Sequence, residues 1–124
     1  MTETQTATAV YTVKRDDNLF DIGQRLGIPH KQIADLNNLP DPDHIDVGQK
    51  LKLPGHKYRS LTVKTGDTLT AISERLAKNV HNPADKKKLS VDELAKINHI
   101  VDKNLIKVGE TIIFANVEGV PDHP

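Results

Sequence analysis

Carboxylates and imidazoles are the side chains this chain has in best supply for chemistry: 17 Asp and Glu and six His among 124 residues, with no Cys. Two carboxylates cleave a glycosidic bond only when they face each other about 5 to 10 Å apart across a cleft. His30, His44, His56, His81, His99 and His123 never recur at i, i+3 or i+4, the spacing that sets two metal ligands on one helix face. Thiolate sites and disulfides are excluded by composition. There is no Gly-rich phosphate loop and no nucleophile elbow. The residue types therefore argue against an enzyme, a metal or a cofactor, and leave binding as the chemistry to explain.

Charge narrows what could be bound. The 17 Lys and Arg cancel the 17 acids, so the long-range attraction that draws proteins to nucleic acid or an anionic membrane is missing. The split is even along the chain, with 6 basic against 8 acidic residues through Gly55 and 11 against 9 after it. No nucleic acid partner and no membrane insertion are expected. No run of about 18 apolar residues occurs. Glu3 stands where an export signal carries Lys or Arg, and no apolar stretch follows it. With no signal peptide visible, a chain made in the cytoplasm is expected, one that reaches a cell wall or the exterior only by another route.

The elements that must position a binding surface come in duplicate. Residues 11–26 (YTVKRDDNLFDIGQRL) match residues 61–76 (LTVKTGDTLTAISERL) at 8 of 16 positions, an offset of 50. Residues 33–53 match 94–114 at an offset of 61, sharing Asn37/Asn98, Asp41/Asp102, Ile45/Ile106 and Val47-Gly48/Val108-Gly109. The second copy thus carries 11 extra residues, at about 78–88, which are expected to lengthen its first helix or to form a basic loop around Lys86-Lys87-Lys88. In each copy a short alternating stretch (Tyr11-Thr12-Val13-Lys14, Leu61-Thr62-Val63-Lys64) suits a half-buried strand. A turn and a helix-spaced set (Leu19, Ile22, Leu26; Leu69, Ile72, Leu76) follow, capped by Asp17 or Asn18 and by Asp67 or Thr68. A second helix opens near Pro29 in one copy and at Ser90 in the other, where Ser90 and Glu93 have capping-box spacing. A closing strand is expected at Leu51-Lys52-Leu53 and Ile112-Ile113-Phe114. The expected class is α+β: two tandem βααβ modules, each a two-stranded antiparallel sheet packed against two helices. The organisation reads as a disordered tail over 1–9, module one over 10–55, a linker over 56–60, module two over 61–116 and a tail over 117–124.

The residues Val13-Lys14-Arg15-Asp16-Asp17-Asn18-Leu19 with Ile22, and Val63-Lys64-Thr65-Gly66-Asp67-Thr68-Leu69 with Ile72, resemble the opening of the lysin-motif (LysM) family. Asn37-Asn38-Leu39 through Leu53-Pro54 and Asn98-His99-Ile100 through Ile112 are similar to its closing half. The resemblance implies a non-catalytic, lectin-like protein for polymers containing N-acetylglucosamine, chitin or peptidoglycan glycan, held in a shallow groove between two loops. In copy one the implied walls are Asp16, Asp17, Asn18 and Leu19 against Asn38, Leu39, Pro40, Asp41, Pro42, Asp43 and Ile45. In copy two they are Gly66, Asp67, Thr68 and Leu69 against His99, Ile100, Val101, Asp102, Lys103, Asn104 and Ile106. The same modules also imply an alternative, an assembly adaptor that contacts protein at a cell envelope or in a phage-tail-like structure.

Several of these residues have a structural role to fill as well. Asp17 and Asp67 suit helix capping more than ligand contact, Leu19 and Ile22 suit the core, and Asn37 and Asn98 suit bracing of the chain at a helix end. Asp16 stands where the family carries Gly, and Asp tolerates a left-handed turn. The chain has no Trp, so sugar recognition must rest on backbone hydrogen bonds and aliphatic contact. Tyr11 and Phe114 are expected in the core, leaving Phe20, beside a groove wall, as the aromatic with access to ligand.

Overall fold

Each copy leaves its first strand through a turn that needs one left-handed residue, and the two copies meet that need differently: Gly66 at φ 87° and Asp16 at φ 67°. The turns sit at matched places in a computed structural model that describes residues 9–41 and 43–120. In the first copy, strand β1 (Val10–Thr12) pairs antiparallel with β2 (Lys50–Lys52), Val10 opposite Lys52 and Thr12 opposite Lys50. Helix α1 (Leu19–Leu26) is capped by Asn18, whose side chain accepts from the Asp21 N–H, and ends at Gly27 in the left-handed region. Its apolar face, Leu19, Ile22 and Leu26, is buried against Tyr11, Leu51 and Leu53. Helix α2 (His30–Leu36) follows Pro29 and contributes Ile33. The two helices cross so closely at Gly23 that a Cβ there would stand 2.5 Å from the Ile28 carbonyl oxygen.

The second copy repeats the plan with an addition. Strand β3 (Tyr58–Thr62) pairs antiparallel with β4 (Thr111–Ala115), helix α3 (Leu69–Ala77) is capped by Thr68, and helix α5 (Val91–Ile97) is capped by Ser90, which accepts from the Glu93 N–H as its spacing foretold. The extra residues neither lengthen α3 by more than one residue nor form a loop. They fold as a separate helix α4 (Pro83–Lys88), started by Asn82, whose side chain accepts from Ala84 and Asp85 N–H, with Pro83 in the first turn. Buried Val80 and Leu89 fasten its two ends, and Ser73 Oγ donates to the Leu89 carbonyl at 2.6 Å. The architecture is α+β, two small antiparallel sheets under five helices. Among the described residues, no helix is long and apolar enough to cross a membrane.

The segments between and beyond the copies are structured. Tyr58, Arg59 and Ser60, read from sequence as linker, form the first three residues of β3, opposite Ala115, Phe114 and Ile113. Ala9, placed in the tail by the sequence, is buried, and its carbonyl accepts from the Leu53 N–H; Val117 and Val120 pack on the second core. The expected tail residues 1–8 and 121–124 lie outside the described residues.

Strands β1 and β4 run side by side, joined by hydroxyls in place of a backbone ladder. Thr12 Oγ1 lies 2.7 Å from Thr111 Oγ1, Thr111 Oγ1 donates to the Val10 carbonyl, and Ser60 Oγ accepts from the Val10 N–H. Ile97 and Ile113 of the second copy enter the first copy's core, and Tyr58 donates to the Leu26 carbonyl. The two copies are therefore packed against one another, not strung on a free linker.

Candidate functional site

The first wall of each expected groove is set by an Asp that closes the strand–helix turn. Asp17 Oδ2 accepts from the Tyr11 hydroxyl at 2.6 Å and from the Lys14 N–H at 2.8 Å, and Oδ1 lies 2.6 Å from His99 Nδ1, with the Arg25 guanidinium 3.6 Å away. Its side chain is 0% exposed. Asp67 does the same in the second copy, accepting from the Lys64 N–H at 2.9 Å and lying 3.5 Å from Arg75. Neither Asp caps a helix; Asn18 and Thr68, one residue on, do that. The reason is geometric: a carboxylate that reaches back to the N–H three residues upstream, at the strand end, must stand before the cap. Asp16, Asn18, Gly66 and Thr68 are exposed, whereas Leu19 and Leu69 are buried in the cores, so only their main chain can face a ligand.

Burial, reinforced by the hydrogen bond to Asp17, pushes the Tyr11 phenol far above the ordinary 10.0, against the opposing charge of Arg25. Burial raises Tyr58 as well. The unfolded chain releases these protons near pH 10 while the folded chain keeps them, so the stability they lend below that pH is lost as pH rises beyond it. Urea midpoints measured between about pH 9 and 11 are expected to fall, and Tyr11→Phe to flatten the fall. A pH-independent midpoint in the parent chain would contradict the placement of Tyr11.

The second walls hang from two asparagines. Asn37 Nδ2 donates to the Ile33 and Lys52 carbonyls and its Oδ1 accepts from the Lys52 N–H. Asn98 makes the matching bonds to Leu94 and Ile113, fully buried. Each amide thus ties a helix end to the edge of the closing strand. The next residue, Asn38 or His99, takes a left-handed conformation (φ 52° and 54°) that throws the loop outward. Beyond it Leu39 and Ile45 half-bury on the first core, Ile100 and Ile106 on the second. Pro40, Asp41, Asp43, Val101, Asp102, Lys103 and Asn104 are exposed, and Pro42 lies outside the described residues. Asp41 Oδ1 accepts from the Asp43 N–H and Asp102 Oδ1 from the Asn104 N–H, the same turn twice; Lys103 is paired with Asp92. Phe20 is half exposed, edge-on to His30 at 5.4 Å, beside a recess bounded by α1 and α2 residues and not by the second wall.

The structure also makes a contact the sequence does not announce. His99, Ile100, Val101 and Asp102, expected to face Gly66–Leu69, border a recess of about 400 Å³ whose far side is Thr12, Val13, Lys14 and Val47-Gly48 of the first copy. Lys14 holds this junction together: its ammonium pairs with Glu110 at 2.9 Å and donates to the Asn98 carbonyl at 3.1 Å. Leu105 and Lys107 line the recess too. The one signal in the sequence was compositional, since Val101 and Leu105 replace Pro40 and His44 of the first copy. Among the described residues, no cluster of three or more His, Asp or Glu is placed to hold a metal.

A family model described as LysM domain matches residues 11–54 and 61–114. An uncharacterised lipoprotein of Escherichia coli, YgeR, is 49% identical over 57 residues, 46% of this chain and 23% of its own length. The endolysin of Bacillus phage PZA is 34% identical over 113 residues, 90% of this chain and 40% of its own. The cell wall-binding protein YocH of Bacillus subtilis is 32% identical over 74 residues, 57% of this chain and 25% of its own. The chain thus spans between about a quarter and two fifths of these relatives.

Proposed function

The chain belongs to the LysM family, with one module at residues 11–54 and another at 61–114, and we propose that both bind, without catalysis, the glycan of a cell-wall polymer that contains N-acetylglucosamine, peptidoglycan ahead of chitin. The observation that carries this reading is the repeated pair of exposed loops. Each offers small polar and main-chain groups (Asp16 and Asn18 or Gly66 and Thr68) together with a half-buried aliphatic residue, Leu39 or Ile100, at the foot of the loop after the second helix. An acetamido group presents one N–H, one C=O and one methyl, which such groups satisfy without charge. Leu19 and Leu69 contribute main chain only, and Asp17 and Asp67 hold the turn from which the contacting groups project. Peptidoglycan is preferred because an endolysin and a cell wall-binding protein are among the relatives.

Retention on insoluble peptidoglycan and on chitin, followed by titration with glycan oligomers of increasing length, tests the proposal. Affinity for uncharged oligomers is expected to change less than about threefold between low and high salt, because few charges are neutralised. Leu39→Trp or Ile100→Trp is expected to weaken binding about tenfold, by filling the groove floor, with the circular-dichroism spectrum unchanged. Retention on neither polymer would favour an adaptor that contacts protein through the same loops.

A further inference from the structure

The recess at the junction of the modules carries more aliphatic surface and more positive charge than a neutral sugar calls on. Its walls are aliphatic, with Val13 and Ile100 inside and Val47, Val101 and Leu105 at the rim, 70%, 91% and 70% exposed. Solitary exposed aliphatics are ordinary, but three around one recess mark a surface that gains by being covered. The charges beside it do not balance. Lys14 and Glu110 cancel each other, while Lys107 at the rim and Lys50, which reaches Thr12 Oγ1 and the Gly109 carbonyl, have no carboxylate partner among the described residues. Against these two cations stands one carboxylate without a cation, that of Asp102. A neutral pyranose brings no negative charge, so it leaves the excess positive charge beside the recess uncompensated.

We propose that this recess binds a short anionic peptide with small aliphatic side chains, of the kind carried on the lactyl group of muramic acid in peptidoglycan. The methyl groups of such a peptide meet the valines and leucine, and its carboxylates meet Lys107 and Lys50. His99, Ile100, Val101 and Asp102 belong both to the recess and to the second module's glycan wall, so a strand lying along that wall places its peptide branch at the mouth of the recess. Both modules supply the walls, so the site exists only in the packed tandem. This inference rests on the peptidoglycan reading of the loops and adds to it a reason for choosing peptidoglycan over chitin, which bears no peptide.

The test titrates the full chain with three probes: peptidoglycan strands stripped of peptide, strands of the same length carrying it, and the free peptide. Strands with peptide are expected to bind about tenfold more tightly than stripped ones, an advantage the size of a few buried methyls and a lysine–carboxylate contact. The advantage should shrink with rising salt. Leu105→Ser and Lys107→Glu, both at exposed positions, should each abolish most of it and leave the affinity for stripped strands unchanged. Equal or weaker binding of the peptide-bearing strands, or an advantage that both variants retain, overturns the assignment while the glycan reading stands. Binding of the free peptide alone, sensitive to Lys107→Glu, overturns the glycan reading and keeps the recess; no binding of any probe overturns both.

Discussion

Asn98→Ala is expected to lower the free energy of unfolding by about 3 to 4 kcal/mol, with a matching fall in the urea midpoint. The amide is completely buried and makes three hydrogen bonds, from Nδ2 to the Leu94 and Ile113 carbonyls and from the Ile113 N–H to Oδ1. Truncation strands the Ile113 N–H and carbonyl where water cannot replace the amide, while the Leu94 carbonyl keeps the main-chain N–H of residue 98; each stranded buried group costs about 1 to 3 kcal/mol. Asn37 provides the control. It makes the same bonds in the first copy, but two of its three go to Lys52 at an exposed strand edge. Solvent can take its place there, and Asn37→Ala is expected to cost about 1 kcal/mol. Equal losses at the two positions would show that burial is not what separates them.

The second large effect is steric. Gly23→Ala should destabilise by about 2 to 3 kcal/mol, the cost of forcing an added methyl into a filled space. The added methyl would lie 2.5 Å from the Ile28 carbonyl oxygen and 3.1 Å from the His30 nitrogen, both main-chain atoms with no freedom to swing away. The sign is diagnostic, because the same change in an open helix stabilises by about 1 kcal/mol. The matched position in the second copy is Ser73, whose hydroxyl donates to the Leu89 carbonyl at the end of α4. Ser73→Ala is accordingly expected to cost about 1 kcal/mol, that of one hydrogen bond. Thermal unfolding of the two variants side by side checks both figures.

Much of each module was legible because its signals are local. Apolar spacing marked α1 and α3, Ser90 with Glu93 marked the start of α5, and the place of Asp16 where the family carries Gly marked the left-handed turn. Tyr11 and Phe114 read as core from strand alternation and are fully buried. What stayed hidden depends on partners distant in sequence. Asp17 looked like a cap because it precedes a helix, yet its oxygens are taken by Tyr11, Lys14 and His99, the last 82 residues away. Thr12 and Thr111 look like solvent-facing strand positions, and only the meeting of β1 with β4 makes them a buried pair. The loop over 56–60 carried no strand pattern, since Tyr58, Arg59 and Ser60 are fixed by pairing with β4 and not by their own propensity. At the candidate site, the recess between copies could not be named from the motif, because half of it comes from each.

On the proposed glycan reading, the hydroxyl seam between β1 and β4 turns the tandem into a ruler. Modules on a slack tether search for neighbouring stretches of a polymer and improve gradually as it lengthens, whereas two walls clamped at one separation demand a particular stride along the strand. An oligosaccharide shorter than that stride would engage a single module and gain nothing from the duplication; one sugar unit past the threshold, both would engage together. Affinity plotted against chain length should therefore climb as a step, and loosening the seam should soften the step into a slope.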